Sequence, residues 1–214
     1  MRKLSLRADA GDRAVTDNGR VLILLPPSET KTRPAPEGAS TLDLRSLSRP
    51  TLAKARETML RAVQRTSAGA DGAARLGVPA SAPELTERMA LLDQEPGAAP
   101  LEVYSGVLFD QLAPQTEVAA DRTVLIQSAL LGLVDAATDR IPAYRVSATS
   151  RIQRLGTAGT WWRKHLAPVA ADLHEQLAAS ASPLVIDCRS GAYRSMMPMS
   201  STEQVRVLQV SPVQ

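Results

Sequence analysis

The sequence predicts an α/β fold, a single compact domain with a mixed β-sheet flanked by helices, on three observations. Short continuous apolar runs at Val21–Leu25, Val124–Gln127 and Pro183–Asp187 are bounded by turn residues, as buried strands are. Between them lie longer stretches with a helical apolar period. Runs of the two kinds alternate along the chain, which is the pattern of strands and helices in one layered unit.

The first strand, Val21–Leu25, is stopped by Pro26-Pro27 and feeds the loop PPSETKTRPAPEG. A helix is expected from about Pro50 to Arg65, with Ser48 as its cap and Leu52, Met59, Leu60 and Val63 on one face. The Gly- and Pro-rich segment that follows reads as a loop with a short turn, then a short helix near Glu84 to Asp93. Glu102 to Leu112 looks helical, and Ala143 to Ser147 reads as a further strand after Pro142. The clearest helix covers residues 160–179, where Trp162, Leu166, Val169, Leu173 and Leu177 recur at intervals of 4, 3, 4 and 4. Pro168 inside it is expected to kink it or split it in two. Val205–Val210 is β-branched and reads as a last strand.

Length and composition narrow the function classes. The chain has 214 residues, 44% hydrophobic and 22% charged, ordinary for a globular domain. Its single cysteine, Cys188, allows no internal disulfide, which fits a reducing compartment and a cytoplasmic location. No apolar run approaches the ~20 residues of a membrane helix. The first 20 residues lack the apolar stretch of a secretory signal and read as a mobile extension ahead of the domain at 21–214.

Basic charge is carried by four lysines and 21 arginines, for a net charge of +3. It is unevenly distributed. Residues 84–121 hold eight acidic groups and one basic one, whereas residues 140–171 hold six basic groups and none acidic. A one-sided positive field of this kind attracts phosphates, and arginine forks suit them geometrically. The competing reading is that these arginines face water or the acidic segment.

Several segments resemble, in order, the YaaA-type peroxide stress family. They are Val21 to Lys31 (VLILLPPSETK), Val103-Tyr104-Ser105-Gly106, Gln127 to Leu133 (QSALLGL) with Ile141 to Arg145 (IPAYR), Trp162, and Val185 to Tyr193 (VIDCRSGAY). The resemblance spans about residues 21–210. It implies a cytosolic α/β unit that resists hydrogen peroxide by limiting iron-dependent damage and binds DNA through a basic cleft. It transfers no defined catalytic residues. Members run on past the segment matching VRVLQV, where this sequence stops at Gln214, so the C-terminal part of the family fold is expected to be missing. In the family that segment resembles the first arm of a hairpin; here its open edge suggests a homodimer.

The candidate residues for nucleic acid, or another phosphate-bearing ligand, are Lys31, Arg145, Arg151, Arg154, Arg189 and Ser190. Lys31 lies in a loop directly after a buried strand, where ligands bind in α/β sheets; an ion pair with Glu29 is its bland alternative. Arg145 is expected on a strand, either paired in the core or aimed into a cleft. Cys188 and Arg194 fit a Cys-x5-Arg loop, the basis of an alternative reading as a phosphatase- or sulfurtransferase-like enzyme, or one acting on nucleotides. Pro198 and two serines are expected to prevent the helix that such a loop needs, which favours an inert Cys188. Trp161 and Trp162 are adjacent and could stack on a base, but one of them is expected to anchor the long helix. His165 and His174 are nine apart and do not share a face, so no zinc set is expected, and no Gly-x-Gly-x-x-Gly or Walker-type loop is present to suggest a cofactor.

Overall fold

Val21–Leu25 forms β1, the central strand of a five-stranded sheet, and its alternation of half-buried and buried residues reflects cover on both faces. The computed structural model describes residues 21–37, 39–112, 118–180 and 183–211; the N-terminal extension lies outside them. β1 pairs in parallel with β3 (Arg122–Ser128) on one side and β8 (Leu184–Asp187) on the other. β4 (Gly132–Asp135) turns back antiparallel on β3, and β9 (Arg206–Gln209) lies parallel outside β8. The order β4-β3-β1-β8-β9 makes the sheet mixed. Two short pairs stand apart from it: β2 (Gly97–Ala98) with β5 (Ile141–Pro142), and β6 (Arg151–Ile152) with β7 (Gly156–Thr157).

The helices pack around this sheet. After a short 3-10 turn at Pro50–Leu52 comes α1 (Ala53–Ser67), which buries the face foreseen by Met59, Leu60 and Val63. The expected cap Ser48 has another task. Its backbone N–H and its hydroxyl both donate to the carboxylate of buried Asp139, at 2.6 and 2.8 Å. The loop after α1 contains α2 (Gly72–Leu76), and α3 (Glu84–Ala90) follows.

The helix expected over 102–112 is two short pieces, α4 (Pro100–Val103) and α5 (Val107–Leu112). Tyr104 is extended between them and bridges antiparallel to Lys31, and Gly106 turns the chain at φ +99°, a conformation that favours glycine. The strand expected at 143–147 is irregular. There the Arg145 N–H turns to the Met89 sulfur and the Ser147 N–H to the Ser150 hydroxyl, so no ladder forms.

α6 (Ala158–Ala178) is one helix of 21 residues, begun by the Thr157 hydroxyl accepting from the Thr160 N–H. Pro168 does not split it, because it lies on the exposed face. Trp162 anchors α6. It is fully buried and donates its indole N–H to the Ala129 carbonyl at 2.8 Å. The ring lies against Gly132, which has φ +78° and so little space that a Cβ would come within 2.7 Å of it. After β8 comes α7 (Gly191–Met196), a short helix ahead of Pro198 where none was expected.

Candidate functional site

The chain runs from β1 outward through β3 to β4, then returns to place β8 on the opposite side of β1. Strand order reverses between β1 and β8, and in an open α/β sheet the crevice beyond the carboxyl ends at such a point is the natural ligand site. Here that crevice holds a cavity of about 430 Å³. The loop after β1 supplies Ser28, Glu29 and Lys31, the loop and helix after β8 supply Ser190 and Tyr193, and residues 145–149 close it opposite.

Lys31 is held from three directions. Its Nζ donates to the Ser28 carbonyl at 2.7 Å and lies 4.3 Å from the centre of the Tyr144 ring and 5.3 Å from that of Tyr104. Burial lowers its pKa to about 7, helped by the charge of Arg145 and opposed by that of Glu29. The tyrosine faces favour the cation, but the cost of desolvating it prevails. Beneath Lys31 the Tyr104 and Tyr144 hydroxyls share a hydrogen bond of 2.8 Å, and Tyr144 shares another of 2.7 Å with Ser128. Ser128 accepts from the Leu130 and Leu131 N–H groups, which ties this chain to the end of β3. Burial pushes both phenols up, and pushes Tyr193 up to about 12. All three tyrosines of the protein therefore converge on one site.

Arg145 lies beside Lys31. Its Nε donates to the Gly77 carbonyl and one Nη1 donor to the Glu29 carbonyl, both at 3.0 Å. Its Nη2 is left with only the exposed Glu29 carboxylate, 3.7 Å away. Glu29 thus approaches Arg145 instead of forming the ion pair with Lys31 that was the alternative reading.

The other candidates divide. Ser190 lines the cavity with Lys31 and Arg145. Arg151 and Arg154 are exposed on the β6–β7 turn and are not lining residues, although Arg151 follows lining residue Thr149 by two positions. Arg189 points away from the crevice into the core. It is 1% exposed, its guanidinium grips the Asp187 carboxylate at 2.8 Å, and Nη1 reaches Gln127 at 2.5 Å. It cannot contact a phosphate polymer without breaking that pair.

The Cys-x5-Arg segment runs from the end of β8 into α7, the helix that Pro198 was expected to prevent, but its arginine is engaged elsewhere. The Cys188 N–H donates to Leu24 across the sheet. Its thiol is half-buried, and burial, then Asp187, raise its pKa against the opposing pull of Arg194. Arg194 donates to the Val210 carbonyl at 2.9 Å and to Ser211 at 3.3 Å, bracing the end of β9. Among the described residues, no group of His, Cys, Asp and Glu is placed to hold a metal ion, and no helix is long and apolar enough to cross a membrane.

Sequence reasoning missed the tyrosine platform and the buried Arg56, whose guanidinium donates to the Leu131 and Leu133 carbonyls. Tyr104, Tyr144 and Tyr193 each stand inside a recognisable motif block, and the scarcity of tyrosine elsewhere in the chain was the available signal.

Comparison with known proteins agrees with this architecture. Residues 21–212 match the family described as peroxide stress protein YaaA. A UPF0246 protein of Corynebacterium glutamicum is 35% identical over 194 residues, covering 87% of this chain and 74% of the relative. A UPF0246 protein of Streptomyces coelicolor is 39% identical over 182 residues, covering 81% of this chain and 66% of the relative. One from Corynebacterium efficiens is 36% identical over 197 residues. The chain is therefore a member of the peroxide stress protein YaaA family.

Proposed function

We propose that this protein acts in peroxide defence by binding a phosphate-bearing ligand, DNA foremost, with the crevice between β1 and β8 as the anchoring pocket. The observation that carries the reading is the pairing of Lys31 with Arg145 in a cavity at the point where strand order reverses. Arg151 and Arg154 lie outside the cavity as exposed charge on the β6–β7 segment, free to follow a phosphate backbone. Family membership supports the peroxide role.

The test is binding of a fluorescent DNA duplex across a salt series. Affinity falls steeply as salt rises, because each neutralised phosphate releases a counterion. Reversing charge at Arg151 and Arg154 together flattens the slope, and Arg145→Ala weakens binding at every salt concentration. Undetectable binding at low salt, or a double reversal without effect, rejects the reading.

A further inference from the structure

We propose that Lys31 is a carbonyl-binding lysine, which condenses with the aldehyde of a phosphate-bearing compound whose phosphate is held by Arg145. This deepens the reading above and rests on it, since it assigns the chemistry of the same pocket.

The placement of Lys31 is unlike that of a simple phosphate clamp. A clamp lysine works as a hydrated point charge on a free stem. Here the amine is drawn under the crevice, against two aromatic faces, and fixed by the Ser28 carbonyl. Among the described residues no carboxylate comes within ion-pair distance of it, because Glu29 approaches Arg145 instead. An unpaired lysine beside a second cation in an apolar setting is the recognised arrangement for an amine nucleophile. The lowered pKa, about 7, agrees with that geometry.

Arg145 supplies the second half of the site. Two backbone carbonyls aim its guanidinium, leaving Nη2 with only a long approach from the exposed Glu29. An anionic group can displace that carboxylate and take a charge-assisted hydrogen bond. The hydroxyls of Ser147, Thr149 and Ser190 line the rest of the cavity and suit a hydroxylated carbon chain. A cavity of about 430 Å³ holds one sugar phosphate unit, free or at the end of a flipped-out nucleotide backbone.

The step balances without a further reactant. The Lys31 nitrogen attacks the carbonyl carbon, a C–N bond forms, and the carbonyl oxygen leaves as water with the two amine protons. The product is an imine, with no change of oxidation state.

The experiment uses the full chain with sodium cyanoborohydride, which reduces an imine to a stable secondary amine. One arm contains a DNA duplex with a single abasic site; the other contains glyceraldehyde 3-phosphate. Intact mass and peptide mapping then locate the adduct, and anisotropy of an undamaged duplex is followed in parallel. The chain has four lysines, so the assignment is direct. The expected result is an adduct on Lys31 at least about tenfold above that on Lys3, Lys54 and Lys164 together, since the free amine is the reacting form. It is lost in Lys31→Arg, which keeps the charge. An adduct from the duplex identifies nucleic acid as the source of the aldehyde; one from the triose identifies a small metabolite. Absence of adduct from both arms, or adduct spread over all lysines and undiminished in Lys31→Arg, overturns the proposal. Binding of the undamaged duplex without adduct overturns the lysine chemistry alone, whereas loss of both removes the binding reading as well. The mapping on the unaltered protein decides the matter even if the variant fails to fold.

Discussion

The nitrogen of Lys31 stands 4.3 Å from the centre of the Tyr144 ring, and the charge of Arg145, the next residue after that tyrosine, opposes its protonation. In the unfolded chain Lys31 keeps its proton up to about 10.5; in the fold it releases it near 7. Between those values the unfolded state holds more protons, so this group makes stability rise with pH across that window. Below about 7 the cost of its buried charge is fully present and this contribution is flat. Tyr104 and Tyr144 face the same nitrogen; burial raises their phenols above the ordinary 10.0, so their own contribution falls as pH climbs toward that value and is common to variant and parent. Lys31→Met is expected to remove the rise, measured as the difference in urea midpoint between variant and parent from pH 7 to 9.5. Parallel curves would refute it.

Gly132→Ala is expected to destabilise the protein by about 2–4 kcal/mol, combining left-handed backbone strain with overpacking. The new methyl meets the Trp162 ring within 2.7 Å, and that ring is locked by its hydrogen bond to Ala129. Urea denaturation measures the cost. A change under 0.5 kcal/mol, the ordinary range of a surface substitution, would mean that the helix docks more loosely than described.

Asp187 and Arg189 form a pair with 1% and 0% of their side chains exposed. Asp187→Leu leaves the guanidinium buried and unpaired and is expected to cost about 3–5 kcal/mol. The double variant Asp187→Leu, Arg189→Met is expected to recover most of that loss, because the desolvation penalty disappears with both charges. Equal instability of single and double variants would contradict this.

Cys188 is expected to react with iodoacetamide at pH 6 no faster than a free model thiol. Burial and the neighbouring Asp187 both disfavour its thiolate. Rapid alkylation, or a hydrolytic activity abolished in Cys188→Ser, would revive the thiolate enzyme.

β9 is an edge strand among the described residues, with Leu208 38% exposed in it and Val210, just past its end, 50% exposed. Such an edge can pair with a second copy. Self-association is expected to rise with concentration in light scattering, and Leu208→Lys is expected to abolish it. A strictly monomeric parent over a hundredfold concentration range would exclude the edge as an interface.

Most of the sheet could be read in the sequence because β1, β3 and β8 are covered on both faces and so carry uninterrupted apolar runs. α1 and α6 were visible through their period. The 102–112 segment misled because Val103 and Val107 keep helical spacing, while Gly106 and the bridge between Lys31 and Tyr104 break the helix through a tertiary contact. Lys31 lies in the loop after a buried strand, as its place in the sequence implies, whereas Arg145 reaches the same cavity from an irregular segment rather than from the strand expected at 143–147. Arg189 was misplaced among the phosphate-facing residues. Its partner Asp187, two residues earlier, was the signal that its charge turns inward. The tyrosine platform joins residues 40 apart, and no local pattern encodes that distance.

The central position of β1 also fixes an order of events during synthesis. Leu22 finds its neighbours in Thr123 and Val185, so β1, made before both, waits about a hundred residues for one neighbour and longer for the other. At 5–20 residues per second β3 follows on the order of 10 s after β1, and until then VLILL has no strand to join; its other edge stays open until β8 emerges. Such a delay is the setting in which holding chaperones act. The crevice beyond β1 inherits it, because one of its walls is delivered only with Ser190 and Tyr193. The pocket is thus a late product of folding, and a ligand that fills it stabilises both ends of the chain in a single binding event.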